Sequence, residues 1–217
     1  MAGNYFLIDT TRCTACRGCQ VACKQWNKLP GESTRQLGSP QNPPDLNANT
    51  YRLVRFREYE RKGKAIRYFF SDACRHCLEP PCRDEANRYV KGAIVVDVTG
   101  AVLYTEKTKE LGPNAQKVID SCPYHIPRLD PETGMLVKCD MCYDRIKAGL
   151  EPICAKTCPT GAINWGDQTK IMRLARARLD EAKVKFGDQA ILIYPDEVRA
   201  IYLVATDPEK YHEHAAY

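Results

Sequence analysis

The sequence predicts an α+β protein made of two small cysteine-centred modules, the second inserted in the first, with a small C-terminal appendage of helix and strand. Three observations predict this. Twelve cysteines stand among the 217 residues, and eleven of them fall in closely spaced groups. The groups at the two ends of the chain complete each other, so the chain must return to where it began. Between them, short strand signals and turn residues take the place of long periodic runs.

The first group is Cys13-x2-Cys16-x2-Cys19-x3-Cys23. Cys74-x2-Cys77-x4-Cys82 follows, then Cys139-x2-Cys142-x11-Cys154-x3-Cys158-Pro159. The twelfth cysteine, Cys122, precedes Pro123. Disulfides suit small secreted scaffolds, whereas 217 residues with 44% hydrophobic content can bury a core without staples. Zinc closes a site with four ligands, usually two from each of two pairs, and the first run fits that badly. It does match the bacterial ferredoxin ligand run, in which three cysteines hold one [4Fe–4S] cube and the fourth crosses to another. Proline after a cysteine fixes φ and turns the chain away, so Cys122 and Cys158 read as crossing cysteines.

Four ancestral groups account for every thiol. In the second group the crossing position is Ala86. In the third only Cys122 remains, with Val118, Ala115 and Gly112 where leading cysteines would stand. Only pairing first with last and second with third gives complete sites. Three [4Fe–4S] clusters are expected: Cys13/Cys16/Cys19/Cys158, Cys23/Cys139/Cys142/Cys154 and Cys74/Cys77/Cys82/Cys122. A fourth site, at Ala86/Gly112/Ala115/Val118, has lost all its ligands together. The modules expected are ferredoxin-like: residues 1–50 and 128–166 holding two clusters, and an inserted 51–127 holding one, with 167–217 as the appendage.

Element by element, Asn4–Asp9 reads as a strand leading into the first run, and Gln20–Asn27 as a helix. Leu29–Leu46, rich in Pro, Gly, Ser and Asn, reads as a long loop. Leu53–Tyr59 and Ala65–Phe70 alternate as a hairpin turning at Arg61–Lys64. Ala93–Val98 and Val102–Thr105 flank Thr99-Gly100 as a second hairpin. Asp167 can N-cap a helix running to Phe186 and stopped by Gly187. Its stripe of Ile171, Leu174, Ala175, Leu179, Ala182 and Phe186 is a packing face. Ala190–Tyr194 and Ala200–Ala205 read as strands of the appendage.

The formal net charge is +5, but ligand cysteines are thiolates and the basic residues are dispersed, which argues against a nucleic-acid partner. The densest basic stretch (Arg52, Arg55, Arg57, Arg61, Lys62, Lys64) reads as the solvated face of a hairpin, or as a docking patch for an acidic redox partner. His76 and His125 are expected to face outward or to support ligands. His212 and His214 fall in a tail expected to be mobile. Asp45/Glu58 and Asp140/Asp144 show no catalytic pattern, and Trp26 and Trp165 read as core or interface. No apolar run approaches a membrane-crossing length, and Met-Ala-Gly-Asn has no basic or apolar signal region, so a soluble chain without its own address is expected.

Cys13-Thr-Ala-Cys16-Arg-Gly-Cys19-Gln-Val-Ala-Cys23-Lys-Gln-Trp26-Asn27 resembles the start of iron–sulfur subunits of formate dehydrogenases. These belong to the ferredoxin-type electron-transfer subunits that partner molybdenum or tungsten enzymes of the DMSO reductase family. Cys74-Arg-His-Cys77-Leu-Glu-Pro-Pro-Cys82, Ser121-Cys-Pro-Tyr124, Lys138-Cys-Asp-Met-Cys142 and Lys156-Thr-Cys-Pro-Thr-Gly161 are similar to the other family motifs. The resemblance runs from about Tyr5 to Trp165. It departs from the membrane-bound version, which has four clusters and a transmembrane helix, and is nearer to the three-cluster beta subunit of soluble enzymes from sulfate reducers.

The resemblance implies a heterodimer with a large catalytic subunit carrying a tungsten or molybdenum bis-pterin. It also implies an acceptor such as a soluble multihaem cytochrome c. The chain itself is then a non-catalytic relay, and its location periplasmic by export with its partner, or cytoplasmic. Rival readings are the same wire for a sulfoxide, thiosulfate or polysulfide reductase, a free polyferredoxin, and a zinc-binding interaction module. Because tunnelling falls steeply with distance, the lost site should lie at one end of the line. The Cys74 cluster is then expected at the exit, and the first-and-last module against the catalytic subunit.

Overall fold

A computed structural model describes residues 3–217, so the opening Met1 and Ala2 of the signal reading lie outside the described residues. In chain order the strands are β1 (Asn4–Asp9), β2 (Leu53–Arg61), β3 (Lys64–Asp72), β4 (Ile94–Val96) and β5 (Val102–Tyr104). They continue as β6 (Arg128–Leu129), β7 (Leu136–Val137), β8 (Ile163–Asp167), β9 (Ile191–Ile193) and β10 (Ala200–Val204). The α-helices are α1 (Gly18–Trp26), α2 (Pro81–Asn87), α3 (Ala115–Asp120), α4 (Tyr143–Lys147), α5 (Ile153–Thr157) and α6 (Gln168–Phe186). The fold is mixed α+β, and no helix among the described residues is long and apolar enough to cross a membrane.

One four-stranded sheet, ordered β8-β1-β10-β9, organises the molecule. β1 runs antiparallel to β8, with Phe6 opposite Trp165, and parallel to β10, with Leu7 opposite Ile201. The strand before the first cysteine run therefore lies beside the strand after Cys158. Alternation sorts the two faces of β1 and β10. Tyr5, Leu7, Ile201 and Leu203 pack under Ile171, Ala175 and Ala182 of α6. Phe6, Ile8, Tyr202 and Val204 face the other way, into a core that includes Cys19, Met141 and Cys154. One face is thus sealed by a helix, and the other supports thiol-bearing loops.

The local expectations for α6 hold: Asp167 Oδ1 accepts from the Lys170 N–H at 2.9 Å, and Gly187 ends the helix at φ +91°. The tail is not an appendage, because β10 is buried at all five positions and lies inside the sheet between β1 and β9. β2 and β3 pair along their whole length from Leu53–Asp72 to Arg61–Lys64. At its base both faces are covered, so Arg52 and Arg55 are buried; the solvated face begins only at Arg57. Arg55 reaches Asp72 at 2.7 Å and Asp45 at 2.6 Å instead of solvent. The stretch is therefore not one basic docking patch.

Ala86, Ala115 and Val118 pack with Leu111, Ile94 and Leu136 in one apolar cluster. Three of the four positions inferred to have lost cysteines thus lie together as ordinary core. Gly112 beside them sits at φ +50°, a conformation that costs a side chain but not glycine.

Candidate metal centres

Three loops of identical backbone logic present the leading thiols. In Cys13–Cys16, Cys74–Cys77 and Cys139–Cys142 the residue before the second cysteine is left-handed: Ala15 at φ +55°, His76 at +48° and Met141 at +68°. That twist turns its N–H back onto the sulfur two residues earlier. His76 N–H donates to Cys74 Sγ at 3.3 Å and Met141 N–H to Cys139 Sγ at 3.5 Å, and Ala15 does the same for Cys13. Such N–H···S bonds fix sulfur position and favour its charged form.

Cys13, Cys16, Cys19 and Cys158 line one cavity, walled by Ile8, Val54, Ala162 and Ile163. Cys74, Cys77, Cys82 and Cys122 line another, walled by Pro80, Val102, Pro127 and Ile126. Cys23, Cys139, Cys142 and Cys154 are all buried and close enough that the other three each act on the charge of Cys23. Within α1, Cys19 and Cys23 are one turn apart, yet Cys19 lines the cavity that Cys158 lines, while Cys139 is the thiol that acts most strongly on Cys23.

All twelve cysteines are free. Burial and then repulsion by neighbouring thiolates push Cys77, Cys142 and Cys23 above the ordinary thiol range. Cys13 is pushed up to about 11, by burial first, despite the Ala15 N–H. Cys139 is pushed up to about 12, again by burial first. Four crowded thiolates in an apolar cavity need a cationic body among them. Among the described residues no three His, Cys, Asp or Glu side chains converge closely enough for a single metal ion. Thiols spread over the walls of a cavity, with no carboxylate in either lining, suit a polynuclear iron–sulfur body better than a zinc tetrahedron.

Two buried cations mark the junctions between the groups. Arg52 donates to Ser71 Oγ at 2.9 Å and its carbonyl at 3.2 Å. Burial disfavours its charge, but Cys154, Tyr202, Cys19 and Cys139 outweigh this and push its pKa up. Lys138 donates to the carbonyls of Val102 at 2.6 Å and Cys139 at 2.9 Å. Burial opposes its charge too, and Cys74, Cys82 and Cys139 more than offset it. Cys139 acts on both cations, so its group lies between the other two.

His212 and His214 depart from expectation, whereas His125 faces outward and His76 supports ligand sulfurs, as expected of them. His76 is wholly buried, not outward-facing. Burial, then Lys138, Arg199 and Arg52, hold its pKa well below the usual imidazole range, so the ring is neutral. His212 is packed rather than mobile, 3.8 Å from Asp72, and His214 stacks on the exposed His125 at 4.1 Å. Trp26 is 40% exposed, under the Arg145 guanidinium, with its Nε1 donating to Asp144 at 3.0 Å. Asp140 accepts from the Cys142 N–H at 2.8 Å. Sequence reasoning missed Arg52 and Lys138; a cation flanking a cysteine motif, as in Lys138-Cys139, was the available signal.

A family described as a 4Fe–4S dicluster domain matches residues 65–168. Formate dehydrogenase 2 subunit beta (cytochrome c-553) of Nitratidesulfovibrio vulgaris is 53% identical over 98% of this chain and 98% of its own length. The chain belongs to the iron–sulfur beta subunits of formate dehydrogenases. The formate dehydrogenase subunit beta of Megalodesulfovibrio gigas is 51% identical, covering 97% of each chain. The nitrate-inducible iron–sulfur subunit of Escherichia coli formate dehydrogenase is 36% identical over 95% of this chain and 70% of its own length. As a formate dehydrogenase beta subunit, the protein is an electron-transfer component carrying [4Fe–4S] clusters, and catalysis belongs to its partner subunit.

Proposed function

We propose that this subunit relays electrons through three [4Fe–4S] clusters, from a tungsten or molybdenum pterin formate dehydrogenase subunit to an external acceptor. The observation that carries it is the gathering of twelve thiols into three sets of four. Each cluster would supply one-electron transfer at a position fixed by its four cysteines. The protein's part is to exclude water, to direct main-chain N–H groups at sulfur, and to place Arg52 and Lys138 where charge arrives.

The order is Cys13 group, Cys139 group, Cys74 group, with the ligand-free site beyond the last, since Cys82 belongs to the same apolar cluster as Ala86, Ala115 and Val118. The Cys74 group is then the exit. A surface cavity against Cys77 carries Glu79, Asp196 and Glu197 and no Lys or Arg in its lining, which suits a basic haem protein. The cytochrome in the name of the Nitratidesulfovibrio relative agrees with such an acceptor. The β1–β8 pairing supports a two-cluster module closed by the chain ends, with the one-cluster segment inserted. We place the complex in the periplasm, exported folded with the catalytic subunit. Iron and acid-labile sulfide on the anaerobically purified subunit test the loading: three cubes are expected, and two or four would contradict it.

A further inference from the structure

One residue touches a sulfur of both the Cys74 group and the Cys139 group. The His76 main-chain N–H donates to Cys74 Sγ at 3.3 Å, and its ring Nε2 lies 3.7 Å from Cys139 Sγ. Ring Nδ1 accepts the Val102 N–H at 3.1 Å. A nitrogen that accepts a hydrogen bond carries no proton, so the ring hydrogen sits on Nε2, aimed at Cys139. The Val102 carbonyl in turn holds Lys138 Nζ at 2.6 Å, so one residue of β5 pins both imidazole and ammonium between the groups.

The loop does not need a histidine for its shape. The equivalent left-handed positions in the other two loops are Ala15 and Met141, which make the same main-chain turn with no polar side chain. Filling this position with a buried imidazole adds a side-chain donor that only the Cys139 sulfur receives.

We infer that His76 is a positioning residue that couples the two neighbouring clusters and sets the reduction potential of the one bound by Cys139. The inference rests on the proposed loading of three clusters. A donor to a ligating thiolate favours the more negative, reduced state and so raises the potential. The neighbouring Cys74 keeps its main-chain N–H whatever stands at position 76. The unit Cys74 Sγ, His76 backbone, imidazole and Cys139 Sγ is also a continuous polar path across the junction.

The test uses the native complex carrying His76→Leu or His76→Gln, titrated potentiometrically while each reduced cluster is followed by EPR. In the leucine variant one cluster's midpoint should move negative and the other two should stay. Glutamine, with an amide N–H of similar reach, should move it back toward the parent value. Should the leucine variant fail to accumulate, the parent protein labelled with ¹⁵N-histidine decides by pulsed EPR: a ring ¹⁵N coupling on one reduced cluster is expected. Full iron with unmoved midpoints, or labelled parent without coupling, overturns the bridge alone. Iron short of three cubes overturns the loading, and the bridge with it.

Discussion

Cys158→Ala should remove one cube's worth of iron, and the cube it removes should be that of Cys13, Cys16 and Cys19. Cys23→Ala should remove a different one, although Cys23 belongs to the same run as those three. The cause is the β1–β8 pairing, which brings Cys158 to the wall of the cavity lined by the first three cysteines. α1 meanwhile carries Cys23 across to Cys139, Cys142 and Cys154. Iron analysis and the EPR signals of the remaining clusters check this. In both variants the Cys74 cluster should survive, because none of its ligands is involved. Identical losses from the two variants, or loss of the Cys74 cluster in either, would contradict the assignment.

Arg75→Met should be strongly destabilising. The Arg75 side chain is 1% exposed, 2.9 Å from a fully buried Asp72, and its guanidinium lies over Phe70, Tyr124 and Tyr202. Removing one partner of a buried pair costs about 3–5 kcal/mol, because the other charge remains buried. Arg55 stays on Asp72 at 2.7 Å, so the lower end is expected. Denaturant unfolding of parent and variant with equal cluster loading measures it; a difference under about 1 kcal/mol would contradict the role.

A pH dependence follows from the same pair. Burial raises the Asp72 pKa, but Arg75 and Arg55 outweigh it and hold the carboxyl below its ordinary range. Its contribution is complete above the unfolded value of about 3.9 and is lost as pH falls through the lower folded value. Without Arg75 the folded value rises toward the unfolded one, so unfolding measured against pH should show a smaller loss of stability on acidification.

The metal-site chemistry was largely legible because ligand spacing is a local property. Cysteines at fixed intervals, with proline after Cys122 and Cys158, point to [4Fe–4S] chemistry before any fold is known. α6 was legible for the same reason, its cap, stripe and stop all lying within its own span. What the sequence hid is non-local. The parallel partner of β1 is β10, almost two hundred residues away, and nothing in either strand names the other. The burial of Arg52 and Arg55 was hidden because basic residues in a strand read as solvated until Asp72 and the thiol groups are seen around them. The histidine in Cys74-Arg-His-Cys77 was visible, but its ring contact with Cys139 depends on two modules meeting.

The most direct test is to add formate to the anaerobically purified native complex and follow the visible sulfur-to-iron absorbance of this subunit. Bleaching equivalent to three cubes is the predicted result, since in the proposed relay electrons from formate cross every cluster to reach the acceptor. Full bleaching by dithionite with none by formate would keep the clusters but contradict the relay from a formate-oxidising partner.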